Sequence, residues 1–221
     1  MANTIPINYK LQFEPLFHNF TFNGIEIITI CLPKATNSIK LDAAELKIKK
    51  CYVEQGTKTI TAKTFLNEKN EMLTIKLTKK IKGKVKLCIK FTGVLNDRLL
   101  GFYRSQYKDN RGKTKYLATT QFEAADARRA FPCWDEPAAK ATFDVSLLVD
   151  RNHDAISNMP IISKKTVDRK ILYKFGRTPI MSTYLLYLGV GEFEYLHGRL
   201  RNIKIRIVTT KGNKNKGKLS L

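Results

Sequence analysis

One stretch of the chain is denser than any other in groups that could do chemistry. It reads Thr119-Thr120-Gln121-Phe122-Glu123-Ala124-Ala125-Asp126-Ala127-Arg128-Arg129-Ala130-Phe131-Pro132-Cys133-Trp134-Asp135-Glu136-Pro137. Two adjacent arginines lie among four acids, with the only tryptophan close by. A guanidinium presents a planar fork that matches a carboxylate, and such pairs pin a corner without turning over a substrate. Asp126, Arg128, Arg129, Asp135 and Glu136 are expected to serve that structural purpose. Glu123 could join them through Arg128 or Arg129, or it could stand as a solvent-exposed carboxylate. Gln121 lies two residues earlier, so on an extended segment it faces the same side as Glu123. Cys133 has no histidine nearby in sequence to make it a nucleophile. The stretch follows neither the helical nor the strand period, and Pro132 and Pro137 forbid one continuous helix through it. It is predicted to be a folded corner, with Phe131 and Trp134 in the core.

Metal chemistry finds little support. The histidines are His18, His153 and His197, followed by Asn19, Asp154 and Gly198. None begins the H-E-x-x-H pattern that puts two ligands and a general base on one helix face. Cys31, Cys51, Cys88 and Cys133 form no C-x-x-C pair, and the first three lie in apolar alternating runs that predict buried thiols.

The elements around this corner are predicted to be strands. Ile7–Glu14 alternates with period two, and Phe20–Ile27 begins a second run with Asn23-Gly24 as a turn or bulge signal. Ile27–Leu32 is nearly all apolar and predicts a strand covered on both faces. Further strands are expected near 39–42, 46–49, 52–53, 58–61, 72–77 and 85–91, with a turn at Lys80–Lys84. Beyond them come a hairpin tipped by Lys108–Lys113, then runs at 141–149, 155–160, 170–175, 185–193 and 201–208. Strands recurring about every ten residues, without helical periodicity, predict an all-β, large twisted antiparallel sandwich.

The chain has 221 residues, 40 Lys and Arg against 19 Asp and Glu, and a formal net charge of +21. Such an excess suits anionic partners: nucleic acid, acidic lipid or acidic protein. The lysines are dispersed along strand-like segments rather than gathered in one arm, which reads as a solvated surface without a specific nucleic-acid site. Met1-Ala2-Asn3-Thr4-Ile5-Pro6 lacks the basic start and apolar block of a signal peptide, and no run approaches the ~20 apolar residues of a membrane span. A cytoplasmic protein with reduced thiols is expected.

The central stretch from Thr120 to Pro137 resembles the N-terminal-domain signature of the M1 family of zinc aminopeptidases. Gly101-Phe102-Tyr103-Arg104-Ser105 precedes it in the family's order, and Ser157-Asn158-Met159-Pro160 follows. Thr178–Leu185, Val190-Gly191-Glu192-Phe193-Glu194 and the closing Lys211–Gly217 complete the likeness, which covers essentially the whole chain and is weakest in the first hundred residues. The resemblance implies a saddle-like β domain over residues 1–210, then a connector over 211–221 leading toward a zinc catalytic domain. It implies that Glu123 pairs with the free α-amine of a peptide substrate and that Gln121 lines the pocket for the first side chain. It also implies a non-proline cis bond at Glu123–Ala124.

The chain departs from the family where chemistry begins. H-E-x-x-H and the second substrate motif, G-A-M-E-N, are both absent. No cofactor is therefore expected on this chain, with zinc on a missing catalytic domain, and the chain alone should be inactive. Its expected partners are a peptide N-terminus and a separate catalytic polypeptide. Two other readings stay open: a stand-alone module for peptides or an acidic partner, and a non-functional truncated remnant.

Overall fold

Alternation of apolar and polar side chains runs the length of most elements. In β1 (Ile5–Leu16), Tyr9, Leu11 and Phe13 are buried, while Lys10 is exposed and Gln12 and Glu14 are only partly covered. The same period in β8 (Thr142–Asp150) buries Phe143, Val145, Leu147 and Val149. The computed structural model describes residues 4–220. The other strands are β2 (Thr21–Asp42), β3 (Lys47–Gln55), β4 (Lys58–Asn67), β5 (Met72–Val94), β6 (Gly101–Lys108), β7 (Thr114–Gln121), β9 (Asp154–Ser157), β10 (Ile161–Val167), β11 (Lys170–Phe175), β12 (Leu188–Gly191), β13 (Phe193–Leu200) and β14 (Ile203–Thr210). Short 3₁₀ turns occupy Ala127–Arg129, Thr183–Leu185 and Lys214–Ser220. No helix among the described residues is long and apolar enough to cross a membrane.

Eight strands form one sheet in the order β10-β11-β8-β1-β2-β5-β3-β4. Four more form a second sheet, β6-β7-β12-β9, and β13 pairs with β14 as a separate ribbon. The two larger sheets meet through aromatic rings. Phe13 of β1 lies 5.8 Å from Phe102 of β6, 6.0 Å from Phe22, 6.3 Å from Phe91 and 6.2 Å from Phe131. These rings meet at edge or tilted angles, the geometry that aromatic quadrupoles favour, and fully burying each is worth ~1.5–3 kcal/mol. The all-β sandwich expected from the sequence is what forms.

Five expectations give way to the structure. Asn23-Gly24 makes no turn: Gly24 sits inside β2, paired with Phe13 and Phe91. A Cβ there would stand 2.2 Å from Phe91 Cε2, so the glycine makes room for a ring rather than for a reversal. Lys80–Lys84 makes no turn either. β5 runs through it with Gly83 at φ 86°, and β2 bends alongside, with register shifts on either side of Thr36. Between Ile27 and Leu32, only Ile28, Ile30 and Leu32 are buried, while Ile27, Thr29 and Cys31 are partly covered. Cys51 is also only partly covered, so of the three thiols expected inside, Cys88 alone is buried. The large sheet is not wholly antiparallel, because β1 and β8 run parallel from Asn8↔Thr142 to Phe13↔Leu147.

Candidate functional site at the β7 corner

β7 delivers the corner. Its buried face carries Ala118 and Thr120, so Thr119 and Gln121 look outward. Phe122 then turns into the core, with its ring 6.1 Å from Phe131. Burial of Phe122 leaves Gln121 and Glu123 on the exposed side, as extended backbone requires. The Gln121 Nε2 amide donates to the Glu123 carbonyl at 3.5 Å. The Glu123–Ala124 peptide bond is cis. The Asp126 N–H donates to the Phe122 carbonyl at 2.9 Å and closes the turn, after which Ala127–Arg129 winds as a 3₁₀ turn with Ala127 buried.

Both arginines are held by carboxylates, and not by that of Glu123. Asp135, whose side chain is 1% exposed, accepts from the Arg128 backbone N–H and from Arg128 Nε through Oδ2, both at 3.2 Å. Its Oδ1 accepts from the Thr183 hydroxyl at 2.8 Å. Arg128 Nη1 also reaches Glu71 at 3.2 Å, with Asp42 4.0 Å away. Arg129 places Nε on Asp126 at 2.8 Å, Nη1 on Glu45 at 2.7 Å and Nη2 on Glu71 at 2.8 Å. Burial works against both guanidinium charges, but the hydrogen bonds that Arg128 donates to Asp135 and Arg129 donates to Asp126, with the neighbouring carboxylates, outweigh it and raise both pKa values.

Backbone bonds fasten the same corner to the end of β2. Asp42 and Cys133 exchange N–H···O bonds of 2.7 and 3.0 Å, the Ala44 N–H donates to the Arg128 carbonyl at 3.0 Å, and the Asp135 N–H donates to Asp42 Oδ2 at 2.9 Å. Gly101 of β6, at φ 66°, pairs with Gln121 of β7, and a Cβ on the glycine would stand 2.7 Å from Arg129 Cβ. Only glycine lets the arginine turn pack this close.

The structure thus brings Asp126, Arg128, Arg129 and Asp135 into one network. Glu136 stays outside it: the side chain is exposed and the residue takes part only through its carbonyl, which accepts from the Ala139 N–H at 2.9 Å. Sequence reasoning missed Asp42, Glu45, Glu71 and Thr183. A usable signal was the scarcity of acids: with 19 Asp and Glu in the chain, two adjacent arginines in a core-bound turn need partners from distant segments. Trp134 and Phe131 are buried as expected. Cys133 is buried too, and burial pushes its thiol well above the ordinary range, so it stays protonated and unreactive.

Glu123 is different. Among the described residues its side chain makes no ion pair or hydrogen bond, and it is exposed. Beside it two glycines of the second sheet make room for side chains from elsewhere, Arg129 against Gly101 and Tyr187 against Gly189. Gly101 puts no side chain opposite Gln121, and Gly189 puts none opposite Thr119. The Tyr187 hydroxyl accepts from the Thr119 hydroxyl at 3.3 Å, and Tyr103 lies directly across from Thr119. Burial, then the neighbouring Tyr187, raises the Tyr103 phenol. An unpaired carboxylate, an amide and two phenols can hold a cationic polar group, but they include no nucleophile–base pair. Among the described residues no group of three or more His, Cys, Asp and Glu side chains could hold a metal ion. His18 and His197 are exposed, and His153 packs its ring 4.7 Å from that of Phe17.

Residues 5–185 match the family model of the peptidase M1 N-terminal domain. The chain is 40% identical over 222 residues to puromycin-sensitive aminopeptidase of Caenorhabditis elegans, covering 98% of this chain and 23% of that protein. It is 40% identical over 224 residues to aminopeptidase 2 of Candida albicans, covering 99% of this chain and 24% of the relative. Against aminopeptidase M1 of Arabidopsis thaliana it is 39% identical over 224 residues, covering 98% and 25%. The chain belongs to the M1 peptidase family and corresponds to the N-terminal domain of its aminopeptidases. It spans about a quarter of the length of these relatives.

Proposed function

We propose that this chain is the substrate-anchoring domain of an M1 zinc aminopeptidase. Glu123 grips the α-ammonium of a peptide, Gln121 lines the pocket for the first side chain, and residues outside this chain break the bond. The single observation that supports this most is the contrast within the corner. Five carboxylates, those of Asp42, Glu45, Glu71, Asp126 and Asp135, surround the two arginines, while Glu123 stands exposed with no cation of its own among the described residues. A peptide amine of pKa ~8 is cationic at neutral pH and binds a carboxylate by charge-assisted hydrogen bonds. An acid held on a rigid corner can locate that amine, so that only the first residue reaches the reacting position.

In this reading residues 1–210 form the anchoring domain and 211–221 the connector. The residues present do not fit zinc, which would be held elsewhere, and the chain alone is inactive. The four unpaired cysteines suit a reducing compartment, so we place the protein in the cytoplasm.

The test is reconstitution. The 221-residue chain is mixed with the portion of the Caenorhabditis elegans relative that lies beyond the matched region, and release of a fluorescent amine from an aminoacyl amide is followed. Activity should appear only in the mixture, and Glu123→Gln should raise KM for substrates with a free amine. Physical association of the two parts without any gain in activity, or unchanged kinetics for Glu123→Gln, would overturn the proposal.

A further inference from the structure

The β13–β14 ribbon has two unlike faces. Cross-strand partners share a face, so Leu196 with Ile207, Gly198 with Ile205, and Leu200 with Ile203 make one apolar stripe. The Lys214–Ser220 turn covers its base. There Gly217 is buried, and a Cβ on it would stand 2.9 Å from Leu196 Cδ1 and 3.1 Å from Ile207 Cγ2. The stripe continues past this cover to the tip, where Leu200 is 63% exposed and Ile203 66%. Two large aliphatic chains side by side at the end of the hairpin have nothing to gain from water.

The flanks of the tip are cationic. Arg199 and Lys204 pair across the ribbon on its other face, with His197 and Arg206 next to them, and Arg201 sits in the turn. From Tyr195 to Thr210 there is no acidic residue. Among the described residues, Arg199, Arg201, Lys204 and Arg206 are exposed and take part in no ion pair.

We infer that the β13–β14 tip is a peripheral docking element for an anionic lipid surface, with Leu200 and Ile203 entering the headgroup region and Arg199, Arg201, Lys204 and Arg206 resting on lipid phosphates. An aliphatic tip with cations in its turn and on the other face of the ribbon is complementary to a bilayer interface, apolar below and anionic above. The fit to single-stranded nucleic acid is poorer. That ligand needs free aromatic faces for its bases. The ribbon's Tyr195 is already spanned by the Arg206 guanidinium at 5.4 Å, and Tyr195 and His197 lie ring to ring at 6.3 Å. The apolar tip would then have no counterpart. The inference uses none of the residues assigned to peptide anchoring.

Co-sedimentation of the full chain with vesicles tests it, using phosphatidylcholine alone and phosphatidylcholine mixed with phosphatidylserine. Binding should require phosphatidylserine and fall as salt rises, with each basic residue worth roughly fivefold near the surface. Leu200→Ser with Ile203→Ser, which leaves the net charge untouched, should lower the partition coefficient about tenfold or more. In a separate variant, Leu200→Trp should shift its emission to the blue on mixed vesicles. Three outcomes would overturn the assignment. One is no sedimentation with mixed vesicles at low salt. Another is binding that the serine pair leaves unchanged, which would assign it to the protein's overall charge. The third is a shift of oligomeric state on gel filtration of the serine pair, which would make the tip a contact between copies. Binding of a uridine homopolymer, lost in Arg199→Glu with Lys204→Glu but kept in the serine pair, would point to RNA instead when vesicle binding is absent.

Discussion

Asp135 meets Arg128 twice through one oxygen: Oδ2 accepts both the Arg128 backbone N–H and its Nε, each at 3.2 Å. One acid thus fixes the main chain and the side chain of the same residue, and its other oxygen takes the Thr183 hydroxyl at 2.8 Å. Asp135→Ala would leave a partly buried guanidinium and a buried hydroxyl without their partner. Breaking such a pair from one side costs ~3–5 kcal/mol. Urea denaturation should show a loss of that order, and a loss under ~1 kcal/mol would mean the corner does not depend on this acid.

Gly101→Ala should be costly for a different reason. The residue has φ 66°, and the added Cβ would lie 2.7 Å from Arg129 Cβ. Strain and steric conflict together should cost ~2–3 kcal/mol in the same denaturation experiment. Gly112 has φ 73° but open space around it, so Gly112→Ala should show the strain alone and a smaller loss.

Glu26 gives the fold a pH dependence. It lies in β2 between Leu11 and Ile89, fully buried, with neither carboxylate oxygen hydrogen-bonded to a described residue. Burial raises its pKa well above 4.5. The sign follows from proton binding: above the unfolded value the native state holds a proton that the unfolded chain releases. Stability therefore falls as pH rises from the unfolded value toward the folded one, by up to ~1.4 kcal/mol per unit. Glu26→Gln removes this titration. Its stability relative to the wild type should improve steadily from acid to neutral pH, and parallel pH profiles would refute the assignment.

Glu123→Ala should leave the urea midpoint of the isolated chain where it is, because the side chain is exposed and unpaired. A marked loss of stability would show that Glu123 supports the corner instead of serving a ligand.

The all-β class was legible because period two survives in strands such as β1 and β8. The corner was legible as a corner from its prolines and from its mixture of arginines and acids. Its partners were not. Asp42, Glu45 and Glu71 reach the arginines only through chain reversals 57 or more residues away, and nothing local marks them. Glu45 and Glu71 both have positive φ, at 57° and 50°, a conformation that glutamate seldom announces in sequence. Gly24 misled for a related reason. A glycine that admits a ring from another strand reads the same as one that turns the chain, and only the partner Phe91 tells them apart.

The parallel seam between β1 and β8 also sets an order of assembly. Asn8 Nδ2 donates to the Thr142 hydroxyl at 2.9 Å and to Asp144 at 3.1 Å, links that span 134 and 136 residues. As the chain leaves the ribosome, β1 through β5 can zip together by short reversals. One flank of β1 must then wait with its ladder groups unpaired until the chain 134 residues further on has followed. Nascent chains arrested before Thr142 should therefore expose the flank of β1 that β8 later occupies, and chaperones that hold open sheet edges would find their target there.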